Sequence, residues 1–394
     1  MISAAFRSKF ALFTLGVCAL SAGFLFLTGS HVPKYLIFVL CLLTFIFNKQ
    51  ENKSANSCLF RSGLEFFIPW FPLLLSTAIL VVFFQGIPAS QDIFNAFLLM
   101  IFIFGAFCTK HYSRNLILTC LAIALFVASL CIDIQILLNG LHNEVIGTNK
   151  NKVLTLTSVL TVCCLGALFS EGQSLDKKTK WLIGISVLVS ISAIILAQVR
   201  TGILPFLAVV PFICYFNRKN KTAITVTVVL AVVLLSLSFL TGRMQQGFVD
   251  LQKYSAGNSV SSWGIRLELW EFALRGFEGA PFFGWGSDPY AAMTNAGYVL
   301  GIKIEKLHHF HNDFINMLAT GGLFGVLGWL STVALLAKKS LKDPASLCLL
   351  VGSLAVGLTE QFWFNRTTLF SLVTIWTLLY VSRSGAESRS VSNQ

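Results

Sequence analysis

Charged residues are scarce in this chain of 394 residues. Asp, Glu, Lys and Arg make up 12% of it, whereas 55% of its residues are hydrophobic and its mean hydropathy is +0.76. Soluble globular proteins carry about 25% charged residues, so a water-soluble enzyme of ordinary composition is excluded. The apolar residues form runs of about 18–22, the length that crosses the hydrocarbon core of a bilayer. The sequence therefore predicts an all-α, polytopic membrane protein.

Several catalytic motifs are also missing. The chain has no GxxxxGK[ST] phosphate loop, no Gly-x-Ser-x-Gly elbow and no Asp-x-Asp pair that would clamp a nucleotide sugar through a metal. None of its ten cysteines lies between Arg243 and Phe310, and no Cys-x-x-Cys spacing occurs. We therefore expect no disulfide in that stretch, no bound metal and no cofactor. Because nucleotide-binding motifs are missing, a reaction outside the cytoplasm would have to draw its energy from a bond in the substrate itself.

Twelve segments are predicted to span the membrane. They lie at about 10–28, 33–48, 64–85, 93–109, 115–138, 153–170, 181–199, 203–216, 222–240, 310–337, 345–363 and 367–382. Three parts follow: nine spans in 1–240, a loop with an amphipathic helix at 241–309, and three spans with a tail in 310–394.

The basic residues predict how these spans are oriented. Eighteen of the 29 Lys and Arg residues fall at the termini and in loops on one side, and five fall in the short loops opposite. Cytoplasmic loops carry the excess of Lys and Arg, so both termini are predicted to be cytoplasmic and the 241–309 loop exported. The net charge of +12 thus reflects topology, and we expect no nucleic-acid partner.

The segment from Trp181 to Phe216 holds a single charge, Arg200. As one helix it would run about 54 Å, nearly twice the hydrocarbon thickness. Basic clusters flank both of its ends, so we predict a hairpin that turns at Arg200-Thr201-Gly202. An arginine at this position either snorkels to lipid headgroups or offers a planar fork to a phosphate or diphosphate.

Within the exported loop, Gly264–Phe277 is predicted to be an amphipathic helix. Leu267, Trp270, Leu274 and Phe277 have helical spacing and predict a stripe that faces lipid or the protein core, and Arg266 lies off that stripe. Arg266 is then either a solvated surface residue or a second ligand for the same anion. Arg243, Arg275 and Arg366 are weaker candidates for the same role.

Three histidines lie at the mouth of the tenth span, in Lys306-Leu-His-His-Phe-His-Asn-Asp313. One interpretation is structural, with Asn312 as the N-cap of the next helix. Another is a zinc site formed by His308, His309 and His311. The third is a neutral imidazole that acts as a general base on a hydroxyl. Polar and titratable groups at membrane depth usually serve a function, which favours the third.

The chain resembles the O-antigen ligase and polymerase superfamily, and most closely its lipopolysaccharide O-antigen ligases. The resemblance rests on the order of these motifs: Arg200-Thr-Gly at a helix break, Arg266-Leu-Glu-Leu-Trp270, Pro281-Phe-Phe-Gly-Trp-Gly286, His309-Phe-His-Asn-Asp313 and Gly321-Gly-Leu-Phe-Gly325. The motif match is confined to about residues 195–330, while the likeness in topology covers the entire chain.

The resemblance implies a membrane-embedded, GT-C-type glycosyltransferase that is inverting and independent of metal. It would transfer O-antigen from undecaprenyl diphosphate to a sugar hydroxyl of lipid A-core, on the periplasmic face of the inner membrane among its lipids. Arg200 and Arg266 would bind the diphosphate, and His311 would accept a proton from the acceptor hydroxyl or orient it. The further substrate-binding candidates are His309, Asn312, Arg243, Trp285 and Glu360, the last placed near the exported end of the eleventh span.

Three alternatives share these features. An O-antigen polymerase would use the same donor with a lipid-linked acceptor, and a protein O-oligosaccharyltransferase would glycosylate protein hydroxyls. A lipid-linked glycan transporter would be no enzyme at all. A transporter should carry charges along several helices, whereas the spans here are nearly free of charge apart from residues such as Asp133. This distribution favours an enzyme.

Overall fold

The structure is a computed structural model. It describes residues 4–23, 32–49, 63–84, 87, 90–107, 112–140, 144–145, 148–170, 175–240, 242–302 and 309–392. Within these ranges the chain forms fifteen α-helices and one antiparallel pair of two-residue strands, β1 (Glu144–Val145) and β2 (Thr148–Asn149). The all-helical fold class is confirmed.

A helix lies over each of the twelve predicted spans. They are α1 (Ala4–Gly23), α2 (Val32–Lys49), α3 (Gly63–Phe83), α4 (Ser90–Phe107), α5 (Arg114–Asn139), α6 (Lys150–Ser170), α7 (Lys177–Ala197), α8 (Leu204–Phe216), α9 (Lys221–Leu240), α13 (Asp313–Ser340), α14 (Pro344–Gly357) and α15 (Arg366–Ser392). The 241–309 region adds α10 (Arg243–Ser255), α11 (Ser262–Phe277) and α12 (Pro289–Asn295).

Seven helices among the described residues are long and apolar enough to cross a bilayer, and three further apolar helices are shorter. The protein is therefore a polytopic membrane protein, while the number of twelve spans stays a prediction. Burial separates the helices into inner and outer ones. The apolar window of α6 is 83% buried and that of α9 is 28% buried, so α6 lies at the centre of the bundle and α9 at its rim.

Glycines allow α6 and α14 to approach closely. A Cβ on Gly166 of α6 would lie 2.7 Å from the Pro344 carbonyl oxygen, and one on Gly352 of α14 would lie 2.8 Å from Val162. Small residues at helix interfaces let membrane helices pack by van der Waals contact, which is the main attraction available between apolar surfaces in lipid.

The chain turns after α7, as predicted from the length of 181–216. A 3₁₀ turn at Arg200–Gly202 separates α7 from α8. Gln198 ends α7 in the left-handed conformation, with φ 53°. Since α7 ends here and α9 returns to this end of the bundle, the turn lies beside the 241–309 region.

The eleventh predicted span is too long by several residues. The sequence predicted a helix at about 345–363, but α14 ends at Gly357. The buried Asp313 carboxylate accepts hydrogen bonds from the backbone N–H groups of Phe362 (3.0 Å) and Trp363 (2.9 Å), which hold this segment outside the helix. The aromatic residues Phe362 and Trp363 were counted with the span, which concealed the break.

The stripe predicted on the helix in the exported loop, directed to lipid or to the core, is only partly packed on protein. The helix itself is present as α11, capped by Ser261, but Leu274 is 48% exposed. The buried face is formed by Leu269, Phe272, Ala273 and Gly276, which pack on Met293, Phe310, Ile315 and Ala319. Small residues on this face let α12 approach, and choosing only the large apolar side chains missed them.

The Pro281–Gly286 segment lies in a break of α13. Gly322 there has φ 58° and ψ −159°, so the helix is interrupted. The backbone groups released by the break bond to the loop: Trp285 N–H donates to Ala319 O (2.8 Å), and Leu323 N–H donates to Pro281 O (2.9 Å). Irregular backbone at this depth is tolerated where protein satisfies its polar groups. The two glycine-rich motifs are therefore partners.

We expect Gly322→Ala to destabilise the protein. The backbone conformation of Gly322 is accessible essentially to glycine alone, and a Cβ there would lie 2.5 Å from the Phe282 carbonyl carbon. The strain is of order 1–3 kcal/mol before the clash is counted. The measurement is the thermal unfolding midpoint of the detergent-purified protein. Gly297→Ala is the matched control, because Gly297 also has positive φ (93°) but open space around its Cβ position. Equal midpoints for the two variants would contradict the prediction.

Candidate active site

Arg200 is held by α10. Its Nη2 donates to Gln246 Oε1 (3.2 Å), and its Nη1 lies 3.7 Å from Asp250 Oδ2. Both partners lie on one face of α10, one helical turn apart. The guanidinium also lies beside Gly247, where a Cβ would be in ordinary van der Waals contact with Nη1 at 3.4 Å. Arg200 is thus oriented toward the 241–309 region.

Arg266 is fixed from three directions. Its Nη2 donates to Glu360 Oε1 at 2.7 Å, its Nη1 donates to Ser262 Oγ at 2.8 Å, and its Nε donates to Thr359 O at 3.3 Å. The Trp263 ring lies 6.0 Å from the guanidinium carbon. An arginine with its rotamer set in this way loses little entropy when it binds an anion.

Both arginines line one cavity of about 410 Å³. Its wall is formed by 198–201, by one face of α10, by the start of α11 and by Thr359. The α10 face contributes Gln246, Asp250 and Lys253. Three cationic side chains therefore face a volume large enough for a diphosphate and a sugar.

His311 lies beside this cavity and contacts the same carboxylate as Arg266. Its Nδ1 is 3.1 Å from Glu360 Oε2. The tautomer with a proton on Nδ1 donates to Glu360 and leaves the Nε2 lone pair available to accept a proton. His311 has φ 51°, and it is one of two non-glycine residues with positive φ in the described part of the chain; the other is Gln198, at the cavity wall. Such outliers cluster at functional sites.

Asn312 and Asp313 hold the segment that carries Glu360. Asn312 is the N-cap of α13, with its Oδ1 accepting from Ile315 N (3.0 Å), and its Nδ2 donates to Leu358 O (2.9 Å). The structural interpretation of Asn312 is therefore confirmed. With Asp313 bound to Phe362 and Trp363, two side chains of one motif position Glu360 from both sides.

Glu360 remains a carboxylate in this environment. Burial raises the pKa of Glu360, but the hydrogen bond and charge of His311 and the guanidinium of Arg266 outweigh burial and hold the pKa below the usual value for glutamate. A carboxylate at this position would stabilise positive charge on the neighbouring imidazole.

His309 lies against His311, with ring centroids 4.3 Å apart. Together with Glu360, the two histidines offer possible metal-ligating atoms that lie within 4.8 Å of one another. This trio contains Glu360 in place of His308, which lies outside the described residues. The Arg266 guanidinium on the same carboxylate places a positive charge beside any cation held there, which disfavours a metal.

Trp285 does not line the cavity described above. The Trp285 indole donates to Gly276 O (2.7 Å) and packs on Tyr298, so it anchors the loop to α11. Arg243 begins α10, and its side chain lies outside what the structure describes.

Sequence reasoning missed Gln246, Asp250 and Lys253. Their spacing of four and three residues places them on one face of a helix, and this pattern could have revealed them, but α10 was read as part of a loop. The role of Asp313 in holding Phe362 and Trp363 also went unrecognised.

Two comparisons with known proteins found similar sequences. The family model described as O-antigen ligase matches residues 185–330, a range that includes Arg200, Arg266, His309 and His311. The O-antigen ligase of Escherichia coli (strain K12) is 23% identical over 376 residues, an alignment that covers 87% of this chain and 86% of the relative.

Fold and site thus define a polytopic, all-helical membrane protein with two arginines in one cavity and a histidine–carboxylate pair bonded to one of them. The resemblance to O-antigen ligases found in its motifs is confirmed by the family model over residues 185–330 and by the similar relative.

Proposed function

We propose that this protein is an inverting glycosyltransferase that moves O-antigen from undecaprenyl diphosphate to a sugar hydroxyl of lipid A-core on the periplasmic face of the inner membrane. The observation that supports it best is the shared cavity of Arg200 and Arg266 beside the His311–Glu360 pair. A diphosphate leaving group requires fixed cations, and a hydroxyl nucleophile requires a base. The arginines and the histidine supply these groups, and Glu360 contacts both Arg266 and His311.

The arginines would act on the donor. The diphosphate gains negative charge as the glycosidic bond breaks, and guanidinium forks bind phosphate oxygens in a bidentate manner. Arg266 is already oriented by Glu360, and Arg200 by Gln246 and Asp250. Such preorganised cations need little rearrangement during the reaction, so they favour the transition state over the ground state.

His311 would act on the acceptor. The acceptor oxygen attacks the anomeric carbon of the donor from the face opposite the diphosphate and forms the new glycosidic bond. The bond between that carbon and the diphosphate oxygen breaks, and undecaprenyl diphosphate leaves with the electron pair. The hydroxyl proton passes to His311 Nε2, while Glu360 holds Nδ1. His309 lies where it can support the same hydroxyl.

The banding of lipopolysaccharide from a deletion strain tests the activity. Loss of the O-antigen ladder with accumulation of polymerised, lipid-linked O-antigen is expected of a ligase. Core capped by single repeats would instead indicate a polymerase, and a normal ladder would reject both. A block in export would leave the lipid-linked glycan inaccessible from the periplasm, as expected of a transporter.

Reporter fusions after Ser255 and after Ser340 are expected to report opposite sides of the membrane. Ser255 ends α10 beside the cavity, while Ser340 ends α13, whose 28 residues begin at the site. The distribution of Lys and Arg predicts that the first fusion is periplasmic and the second cytoplasmic. Reports from the same side would contradict this topology.

Transfer activity is expected to survive chelators. Charge stabilisation at the cavity is assigned to arginines, and the guanidinium of Arg266 shares the carboxylate of Glu360 with His311. The measurement is glycan transfer in vesicles treated with EDTA, with magnesium, manganese or zinc added back. Lost activity that is restored by one ion would overturn the metal-independent mechanism and assign the ion to His309, His311 and Glu360.

A further inference from the structure

A second large cavity lies at the opposite end of the bundle. Its volume is about 530 Å³, and it lies between the start of α3, the junction of α13 with α14, and the end of α15. The 28 residues of α13 separate it from the candidate active site by about 40 Å. The catalytic proposal makes no use of it.

Basic side chains dominate its rim. Lys338, Lys339 and Lys342 line the cavity and are exposed, and Arg383 lines it from α15. Of its two acidic residues, Asp343 is neutralised by Arg114, whose Nη2 lies 2.6 Å from Asp343 Oδ1. The cavity therefore carries net positive charge.

The walls beneath this rim are apolar and aromatic. They include Ile68, Pro69, Leu335, Trp376 and Tyr380. Trp and Tyr are enriched where a membrane meets water, because one end of each ring is apolar and the other polar. Lysines that only determine topology need not line a cavity. Here they line the same cavity as these apolar and aromatic side chains.

We propose that this cavity binds an anionic phospholipid. The phosphate would lie among Lys338, Lys339 and Lys342, and an acyl chain would lie against Leu335 and Trp376. Basic pockets between membrane helices bind anionic headgroups in this way. A free phosphate would contact the same lysines but would make no contact with the apolar walls. The lipid proposal is independent of the glycosyltransferase activity, since it involves none of the residues assigned to catalysis.

Native mass spectrometry of the full-length protein in detergent tests the proposal. The probes are phosphatidylglycerol and phosphatidylcholine with identical acyl chains, and inorganic phosphate as competitor. Phosphatidylglycerol is expected to bind at least about tenfold more tightly than phosphatidylcholine, since each basic residue near an anionic headgroup contributes about fivefold. Millimolar phosphate is expected to leave this binding intact. Equal affinities for the two lipids would overturn the proposal, and complete displacement by phosphate would replace the lipid with a soluble anion.

Charge variants locate the lipid. K338Q/K339Q/K342Q is expected to lower phosphatidylglycerol affinity by about tenfold or more. The matched control is K177Q/K178Q/K180Q, which removes the same charge from the first turn of α7, outside this cavity. Unchanged binding by the first variant, or an equal loss in the control, would show that no lipid site exists at this cavity. The comparison of the two lipids on the unmodified protein needs no variant to fold.

Discussion

Replacing Arg266 by alanine is expected to lower the rate of glycan transfer by about 10²–10³-fold, the usual cost of removing one preorganised electrostatic donor. Arg266 binds Glu360 at 2.7 Å and lines the cavity that Arg200 shares. Its loss removes a fork for the diphosphate and also leaves Glu360 without its guanidinium partner. Arg200→Ala is expected to have a similar effect through the loss of the second fork. The measurement is transfer of lipid-linked O-antigen to lipid A-core in membranes, normalised to protein abundance.

Arg275→Ala is the matched control for Arg266→Ala. Arg275 lies on the same helix, is exposed and does not line the cavity; its Nε lies 4.0 Å from Glu271 Oε1, and its Nη2 donates to Val299 O (3.2 Å). Normal transfer is therefore expected when it is removed. Lysine at position 266 should restore part of the activity, because it returns the charge but not the planar fork. If Arg266→Ala transfers glycan as fast as Arg275→Ala does, Arg266 does not bind the diphosphate.

Replacing His311 is expected to lower transfer by about 10²–10⁴-fold, the range that general bases contribute. Asparagine is a better test than alanine at this position. The φ of His311 is 51°, and asparagine tolerates that left-handed conformation, so His311→Asn removes the base with little change in backbone strain. The measurement is the same transfer assay, accompanied by the thermal unfolding midpoint.

His308→Ala is the control for His311→Asn. Residue 308 lies outside the described residues, and the sequence assigns the motif to His309 and His311, so this variant is expected to be nearly silent. Full transfer by a stable His311→Asn protein would remove the proposed base. Loss of transfer in His311→Ala but not in His311→Asn would instead point to a disturbed backbone.

The arrangement of helices was largely predictable because each cue is local. Apolar length predicted the segments of α1 to α9 and of α13 to α15, and one charge in a run too long for a single span predicted the break at Arg200–Gly202. The capping role of Asn312 was one of three interpretations, and its side chain indeed accepts from Ile315 N. These features depend on bilayer thickness, on helix geometry and on the hydrogen bonds of neighbouring residues, all of which a sequence displays directly.

The faces of helices were less predictable. The apolar stripe predicted for α11 includes Leu274, which is 48% exposed, while Ala273 and Gly276 are buried. A Cβ on Gly276 would clash with Met293 of α12. The packing face of α11 therefore depends on the space that the side chains of α12 occupy. Large apolar residues near a membrane satisfy either protein or lipid, and their spacing alone does not distinguish the two.

The sequence by itself determined the class of protein, the positions of its helices and the residue types of the candidate site. The tertiary structure decided which of those residues act together. Arg266 and His311 both bond to the carboxylate of Glu360, although Arg266 is 94 positions from Glu360 and His311 is 49 positions from it. Those contacts depend on the hydrogen bonds by which Asp313 holds the segment after α14 outside the helix. The Pro281–Gly286 segment likewise bonds to backbone groups that are available only because α13 is interrupted at Gly322. Hydrogen bonds between distant segments leave no periodicity in a sequence, because they are specified by the packing of the whole bundle.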